Sequence, residues 1–329
     1  MALILVFIIL FICVLLAFKL LYRKRPKSLK NRHIIVTGGS SGIGKSVALE
    51  CVNLGAKVTI VARNEQRLIK AKDEILSSSK AATTDSVQYV SVDLSSNYDE
   101  VEMAVKVAER SFGPTYMLVN CAGMAVCGKL EDMTIENIKL MMDINYYATV
   151  FPIKAVLTDM KSRKEGIIII TSSMSGLIGL FGYGAYSASK FALRGLAECL
   201  AMECQQHNVK VTLCLPPDTD TPGFENENRT KPLETKLLSE AGGLVQPHSV
   251  AKQLISDALK GEFFSTIGIE GLLLGIVCSG AAPNFSSILL PLQVFLMGPI
   301  RFFMWCMHLH FKAIMNKCAA KRDSDKKHS

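Results

Sequence analysis

Residues 172–190 read SSMSGLIGLFGYGAYSASK, and they decide how the rest of the chain is interpreted. The apolar run at 167–170 just before them is typical of a buried strand in a parallel sheet. Apolar residues at helical spacing follow over 191–202, and Tyr186 and Lys190 stand four apart, on one face of that helix. A nearby ammonium favours the phenolate form of tyrosine, whose reference pKa is about 10. Alone, a tyrosine and a lysine at this spacing are typical of a solvent-exposed helix surface, so a catalytic role for them depends on the motifs upstream.

The first upstream motif is a glycine-rich turn. A short apolar strand at 33–36 runs into Thr-Gly-Gly-Ser-Ser-Gly-Ile-Gly at 37–44, and an amphipathic helix follows to about Leu54. A turn of this kind lets backbone N–H groups approach a pyrophosphate at the positive end of a helix. The sequence therefore predicts a nucleotide site whose contacts are Gly38, Ser40, Ser41, Gly42, Ile43 and Gly44.

The second strand, predicted over 57–62, indicates which nucleotide binds. Arg63 stands where an NAD-binding fold places an acidic residue for the ribose 2′-hydroxyl, and Arg67 follows one helical turn later. A guanidinium suits a 2′-phosphate, so the sequence predicts NADPH rather than NADH. The strand at 88–92 leads into Asp93 and Leu94, which are expected at the adenine end; the alternative for Arg63 is an ordinary exposed loop residue.

Other strand ends supply the remaining candidates, because residues at the carboxyl ends of parallel strands line the ligand crevice. A strand at 117–119 precedes Asn120, Ala122 and Gly123, and one at 210–215 precedes Pro217 and Thr219. Asn145 falls inside a helix predicted over 135–156, where asparagine is unfavourable unless it has a role. A charged segment at 225–234 is expected to form a lid over the substrate.

The N-terminus predicts a membrane anchor over residues 1–25. Residues 2–18 are uninterrupted apolar residues and span roughly 26 Å as a helix, close to a bilayer core of about 30 Å. A cleaved signal peptide would place basic residues before the apolar run and a small-residue cleavage site after it, and neither is present. The basic cluster follows the run, so the positive-inside rule predicts that the rest of the chain faces the cytosol.

The C-terminal region also departs from a soluble pattern. Residues 271–300 contain no charged residue, and an aromatic cluster follows Arg301. We expect a hydrophobic membrane-associated region over 263–312, either a hairpin of two short spans or a shallow interfacial element, and a basic cytosolic tail over 313–329. A cytosolic tail requires an even number of crossings. The competing interpretation is a buried seventh strand with a hydrophobic dimer surface.

Composition sets limits on the remaining function classes. The 329 residues are 49% hydrophobic and 20% charged, with a net charge of +8, enough for one large α/β domain with membrane-embedded ends. The basic residues cluster beside apolar runs, which favours orientation on a lipid bilayer and predicts no nucleic-acid partner. Ten cysteines occur without metal-type Cys-x-x-Cys pairs, so we expect reduced thiols and no metal site.

Four motifs in this order resemble the short-chain dehydrogenase/reductase family over about 32–260: the glycine turn at Thr37, Asn-Cys-Ala-Gly at Asn120, the Ser172–Ser173 pair and Tyr-Ser-Ala-Ser-Lys at Tyr186. The resemblance implies an α/β fold with a doubly wound, Rossmann-type parallel sheet, placed here at 31–262. It implies a catalytic tetrad and nicotinamide contacts from Tyr186 and Lys190. The family spacing favours Ser173 as the catalytic serine, and Ser172 remains the alternative. By the family pattern the tetrad would be Asn145, Ser173, Tyr186 and Lys190, and Asn145 would position a water beside Lys190.

Residues 185–198 and 216–224 are similar to the membrane-bound sphingoid-ketone reductases of that family. This similarity implies NADPH-dependent reduction of a membrane-resident 3-keto sphingoid base, with the catalytic domain on the cytosolic face of the endoplasmic reticulum. Another lipid ketone, such as a steroid or retinoid, is the alternative substrate, and a cofactor-binding scaffold without turnover is the alternative class. The family commonly forms dimers or tetramers, so the resemblance allows a homo-oligomer.

Overall fold

A computed structural model of the protein describes residues 28–240, 243–283 and 290–328, so the predicted anchor at 1–25 lies outside the described residues. Its centre is a seven-stranded parallel sheet in the order β3-β2-β1-β4-β5-β6-β7. The strands are β1 (His33–Thr37), β2 (Lys57–Ala62), β3 (Val87–Ser91), β4 (Thr115–Asn120), β5 (Gly166–Thr171), β6 (Val209–Leu215) and β7 (Phe264–Thr266). The helices are α1 (Gly42–Asn53), α2 (Glu65–Ser78), α3 (Tyr98–Phe112), α4 (Ile135–Met142), α5 (Ala148–Arg163), α6 (Gly184–Cys204), α7 (Pro222–Thr230), α8 (Leu233–Glu240), α9 (Pro247–Lys260), α10 (Gly268–Val277) and α11 (Leu290–His328).

Both faces of the sheet are covered, which explains why its strands are apolar without alternation. In β5, Ile168 and Ile170 pack with α3, α5 and α6 on one face. Ile167 and Ile169 pack with α1, α2 and α9 on the other face. The predicted doubly wound parallel sheet is therefore confirmed.

The strand order places the ligand crevice. Strand β1 pairs with β2 on one side and β4 on the other, so the chain winds outward in opposite directions from this point. An open parallel sheet binds its ligands at the carboxyl ends of the strands where the order reverses. The glycine turn after β1 and the loop after β4 meet at that position.

The helix predicted over 135–156 is wrong in one respect, because it is not a continuous α-helix. A π-helical turn, Asp143–Tyr147, separates α4 from α5, and Asn145 lies inside it. Turns of this type add one residue and often occur at functional sites. The Asn145 side chain compensates for the irregular turn by hydrogen bonding both the N–H and the carbonyl of Met124 at 3.0 Å.

The C-terminal region is helical and partly packed on the domain. Strand β7 extends the sheet to Thr266, beyond the predicted domain boundary at 262, and α11 continues without a break across the predicted 312/313 boundary. Ile300 and Met304 of α11 are buried against the core. Among the described residues, one helix, with its apolar part at Gln293–Arg322, is long and apolar enough to cross a membrane by length and composition.

Candidate active site

A cavity of about 490 Å³ opens at the carboxyl ends of the strands and collects nearly all the predicted site residues. Loops after β1, β2, β3, β4, β5 and β6 contribute to its wall, together with α6 and α7. The predicted residues on this wall are Gly38, Ser40, Ser41, Gly42, Ile43, Gly44, Arg63, Arg67, Asp93, Leu94, Ala122, Gly123, Ser172, Ser173, Tyr186, Lys190, Pro217 and Thr219.

The glycine turn forms one end of the cavity and fits a pyrophosphate. Gly38 has φ +65°, and a Cβ there would lie 2.8 Å from the backbone N of Ala122. A Cβ on Gly44 would collide with the carbonyl oxygen of Gly38. Within the described residues, the Ser41 side chain makes no capping bond to α1, in contrast to Asn64 at the start of α2. The first-turn N–H groups of α1 are therefore available to an anion.

The ribose end of the cavity carries positive charge. Arg63 and Arg67 follow β2, and the guanidinium of Arg63 lies 3.8 Å from the Asp93 carboxylate. Partial burial would raise the pKa of Asp93, but hydrogen bonds from Ser95 and the charge of Arg63 lower it overall. This donor set, next to the uncapped helix, is suited to an anionic ligand.

The catalytic candidates converge at the other end. Tyr186 and Lys190 lie on α6, and the Ser173 side chain is close enough to Tyr186 to lower the pKa of its hydroxyl. The Lys190 Nζ donates to the carbonyl of Thr171 at 3.1 Å and lies 5.7 Å from the Tyr186 ring centroid. Burial lowers the pKa of Lys190 to about 8. The side chains of Tyr186, Ser173 and Lys190 thus lie together at this end of the cavity.

The pKa of Tyr186 is raised overall, so burial and Glu227 outweigh any lowering by Lys190. Burial raises the pKa of Tyr186 and the charge of Glu227 raises it further, while the Ser173 hydrogen bond opposes both effects. Tyr186 is therefore held in its protonated form, which is the form that can donate a proton.

The two neighbouring serines have different environments. The Ser173 side chain lies beside Tyr186, whose pKa it lowers, and accepts from the N–H of Ser175 at 3.1 Å. The Ser172 hydroxyl is buried and donates to the carbonyl of Lys190 at 2.9 Å. Ser172 thereby ties the β5 loop to α6, and Ser173 is the one whose hydroxyl meets the tyrosine.

Asn145 and Asn120 lie behind the cavity wall rather than on it. The Asn145 Nδ2 also donates to Ser189 Oγ at 3.0 Å, and a Cβ on Gly123 would lie 2.8 Å from Asn145 Oδ1 and 3.3 Å from Lys190 Nζ. Asn145 therefore adjoins Lys190 through Gly123. Asn120, predicted as a cofactor contact, instead donates to the carbonyl of Ile169 at 3.1 Å and so joins β4 to β5.

Sequence reasoning missed a group of charged and aromatic residues around the substrate end. The Tyr183 hydroxyl donates to Glu227 on α7 at 2.5 Å, and the side chain of Lys231 is completely buried beside it. Tyr183 could have been found, since it is an aromatic residue three positions before Tyr186, at the start of α6. Glu227 could not, because its segment was predicted only as a lid.

Comparisons with known proteins agree with this geometry. A family model described as short chain dehydrogenase matches residues 32–232. A 3-dehydrosphinganine reductase from Danio rerio is 45% identical over 322 residues, which cover 97% of this chain and 96% of that protein. A 3-ketodihydrosphingosine reductase from Bos taurus is 47% identical over 300 residues, which cover 91% of this chain and 90% of that protein.

A solved structure described as a short chain dehydrogenase/reductase family protein is similar as well. It has a TM-score of 0.61 and 26% identity, and the match covers 70% of this chain and 91% of that one. The fold implies a nicotinamide dinucleotide as cofactor, and the relatives are named as reductases, which makes the protein an oxidoreductase. The chain belongs to the short-chain dehydrogenase/reductase family.

Proposed function

We propose that this protein reduces 3-ketodihydrosphingosine (3-dehydrosphinganine) to dihydrosphingosine (sphinganine) with NADPH, a step in sphingolipid and ceramide synthesis. The observation that carries the proposal is the meeting of Tyr186, Ser173 and Lys190 in the cavity that also holds the glycine turn. The substrate is supported by the names of relatives that match 90% or more of this chain.

The glycine turn and Arg63 would hold NADPH, which would supply the hydride for the C3 carbonyl carbon. Tyr186 donates its hydroxyl proton to the carbonyl oxygen as that oxygen gains charge, and burial keeps the proton available on Tyr186. The Ser173 hydroxyl hydrogen-bonds the same oxygen and stabilises the charge that develops there. One hydride on carbon and one proton on oxygen complete the alcohol.

Lys190 and Asn145 support the proton donor. Lys190 provides a positive charge beside Tyr186 and a donor for the nicotinamide ribose. Asn145, fixed by the π turn, adjoins Lys190 through Gly123 and holds the loop after β4 in place. Its proposed role is to position a water that connects Lys190 with solvent.

A paired substitution distinguishes the two serines. Ser173→Ala removes a hydrogen bond to the reacting oxygen, so we expect kcat to fall by about 10²-fold. Ser172→Ala removes a bond to the Lys190 carbonyl, so its main effect is expected on thermal stability rather than on kcat. The reverse pattern would assign the catalytic hydroxyl to Ser172.

We place the enzyme on the endoplasmic reticulum membrane with its catalytic domain in the cytosol. Exposed aromatic side chains on α11, including Phe302 and Trp305, support contact with a lipid interface. A long acyl chain partitions into the bilayer, so an enzyme held there meets its substrate at high local concentration. Asn228-Arg229-Thr230 is a glycosylation acceptor sequence, and we expect it to stay unmodified because it faces the cytosol. A glycan at Asn228 would show that the catalytic domain faces the lumen instead.

The test of substrate class compares three lipids that carry a carbonyl group. Membranes containing the full chain are incubated with NADPH and either 3-ketodihydrosphingosine, a steroid ketone or a retinal. We expect turnover of the sphingoid ketone. Turnover of a steroid or retinoid instead would replace the substrate, and cofactor binding without turnover of any of the three would indicate a scaffold.

A further inference from the structure

We infer that the carboxylates of Glu227 and Asp218 bind the substrate's ammonium group and make the enzyme selective for 2-amino ketones. This inference rests on the proposed function, because a 3-keto sphingoid base carries a protonated amine on the carbon next to its carbonyl. Any residue that recognises the amine must therefore lie close to the group that protonates the carbonyl oxygen.

The first supporting observation is position. Glu227 on α7 and Asp218 after β6 line the same cavity as Tyr186 and Ser173. The ring of Tyr183 lies 5.4 Å from the ring of Tyr186, and its hydroxyl donates to Glu227. The Glu227 carboxylate is thus separated from the proposed proton donor by about one tyrosine ring.

The second observation is charge. The Lys231 Nζ lies 2.9 Å from Glu227 Oε1 and 3.7 Å from Asp218 Oδ2, behind the cavity wall. Lys231 is shared by the two carboxylates and contacts them from behind the wall, while Lys190 is a further cation of the cavity. A substrate ammonium would give Glu227 and Asp218 a cationic partner on the cavity side.

The third observation concerns the free oxygen atoms. Tyr183 and Lys231 both contact Oε1 of Glu227, while Ser239 and Lys231 both contact Oδ2 of Asp218. Within the described residues, Glu227 Oε2 and Asp218 Oδ1 have no hydrogen-bond partner. Each carboxylate therefore keeps one acceptor for a ligand, and an ammonium has three donors to offer.

Binding of the ammonium would also affect the chemistry. The charges of Glu227 and Asp218 raise the pKa of Tyr186 beyond the effect of burial. A bound cation offsets that effect and makes Tyr186 a stronger acid only when an amino ketone is present. A ketone without the amine loses both the ion pair and this activation.

The experiment compares 3-ketodihydrosphingosine with 1-hydroxyoctadecan-3-one, which has the same chain and lacks the amine. We expect the wild-type kcat/KM to be at least about tenfold higher for the amino ketone. Glu227→Gln and Asp218→Asn should each reduce this ratio severalfold. Glu225→Gln, on the exposed side of the same helix, should leave the ratio unchanged.

The ratio of the kcat/KM values for two substrates on one enzyme does not depend on the fraction of enzyme that is folded. Two separate variants are used so that the test survives if one of them fails to fold. Equal wild-type kcat/KM for the two ketones, or a preference retained in both variants, would overturn the inference while leaving the proposed function intact. Failure of the wild type to reduce 3-ketodihydrosphingosine would instead overturn the proposed function.

Discussion

The two ends of the cavity are built in different ways. The nucleotide end consists of backbone turns and exposed side chains from short continuous stretches, such as the glycine turn before α1. The substrate end depends on buried charges that are far apart in the chain. Tyr183 and Glu227 are 44 residues apart. Outside the cavity wall, Arg322 of α11 pairs with the buried Glu234 of α8 from 88 residues away. The residues of the nucleotide end can be identified from short stretches of sequence, whereas the residues of the substrate end are brought together only by the complete fold.

Burial explains why the substrate end and the neighbouring contact between α8 and α11 need these long-range partners. The Lys231 side chain is 0% exposed and Glu234 is 2% exposed. A charge removed from water costs several kcal/mol unless another charge or hydrogen bond compensates it. Glu227 and Asp218 compensate Lys231, and the C-terminal helix supplies Arg322 for Glu234.

The largest expected effect follows from breaking the buried charge group. Lys231→Met leaves two carboxylates without their common partner, so we expect about 3–5 kcal/mol of lost stability, seen as a lower thermal unfolding temperature. Lys236→Met, at an exposed position on α8, is the matched control. Equal stability of the two variants would show that Lys231 is not an essential partner.

The corresponding test at the nucleotide end is Gly44→Ala. The new Cβ collides with the carbonyl of Gly38, so the turn must shift and NADPH binding should weaken by about 10- to 100-fold. The Kd for NADPH, measured by fluorescence titration, is the readout. Gly179→Ala is the control, since a Cβ there meets nothing within 4 Å. Unchanged affinity in Gly44→Ala would contradict close packing of the turn.

The pH profile tests the buried lysine of the catalytic group. The pKa of Lys190 is lowered from 10.5 to about 8, so its ammonium is present below that pH and is lost above it. We expect kcat/KM for NADPH, which reports the free enzyme, to fall by about tenfold per pH unit above roughly pH 8. A flat profile up to pH 10 would mean that the charge on Lys190 is not required.

The smallest effect is expected at the exposed arginine. Arg63→Ala should weaken NADPH binding by about three- to tenfold and leave NADH binding nearly unchanged, because the side chain is well exposed and screened by solvent. Separate titrations with the two dinucleotides measure the difference. An equal loss for both would show that Arg63 does not contact the 2′-phosphate.

Much of the fold follows from local patterns in the sequence. The apolar run at 167–170 predicts β5 because a strand covered on both faces cannot alternate. The glycine turn predicts the crevice because positive φ and close approach require glycine. The tyrosine and lysine of α6 follow from their spacing of four.

The remaining details could not be predicted because they depend on tertiary contacts. Family spacing favours Ser173 but does not exclude Ser172, since the position of α6 decides which hydroxyl lies beside Tyr186. The π turn at Asn145 depends on its bonds to Met124, a residue 21 positions away. The buried Lys231 occurs in a charged segment whose composition is typical of an exposed lid.

The most direct test of the proposed reaction measures NADPH oxidation by purified membranes in the presence of 3-ketodihydrosphingosine. It compares the wild type with Tyr186→Phe and with a control, Tyr89→Phe, which lies outside the cavity wall. We predict turnover by the wild type and by Tyr89→Phe, and a loss of at least about 10²-fold in Tyr186→Phe with NADPH still bound. Full turnover by Tyr186→Phe would contradict the assignment of this tyrosine as the proton donor.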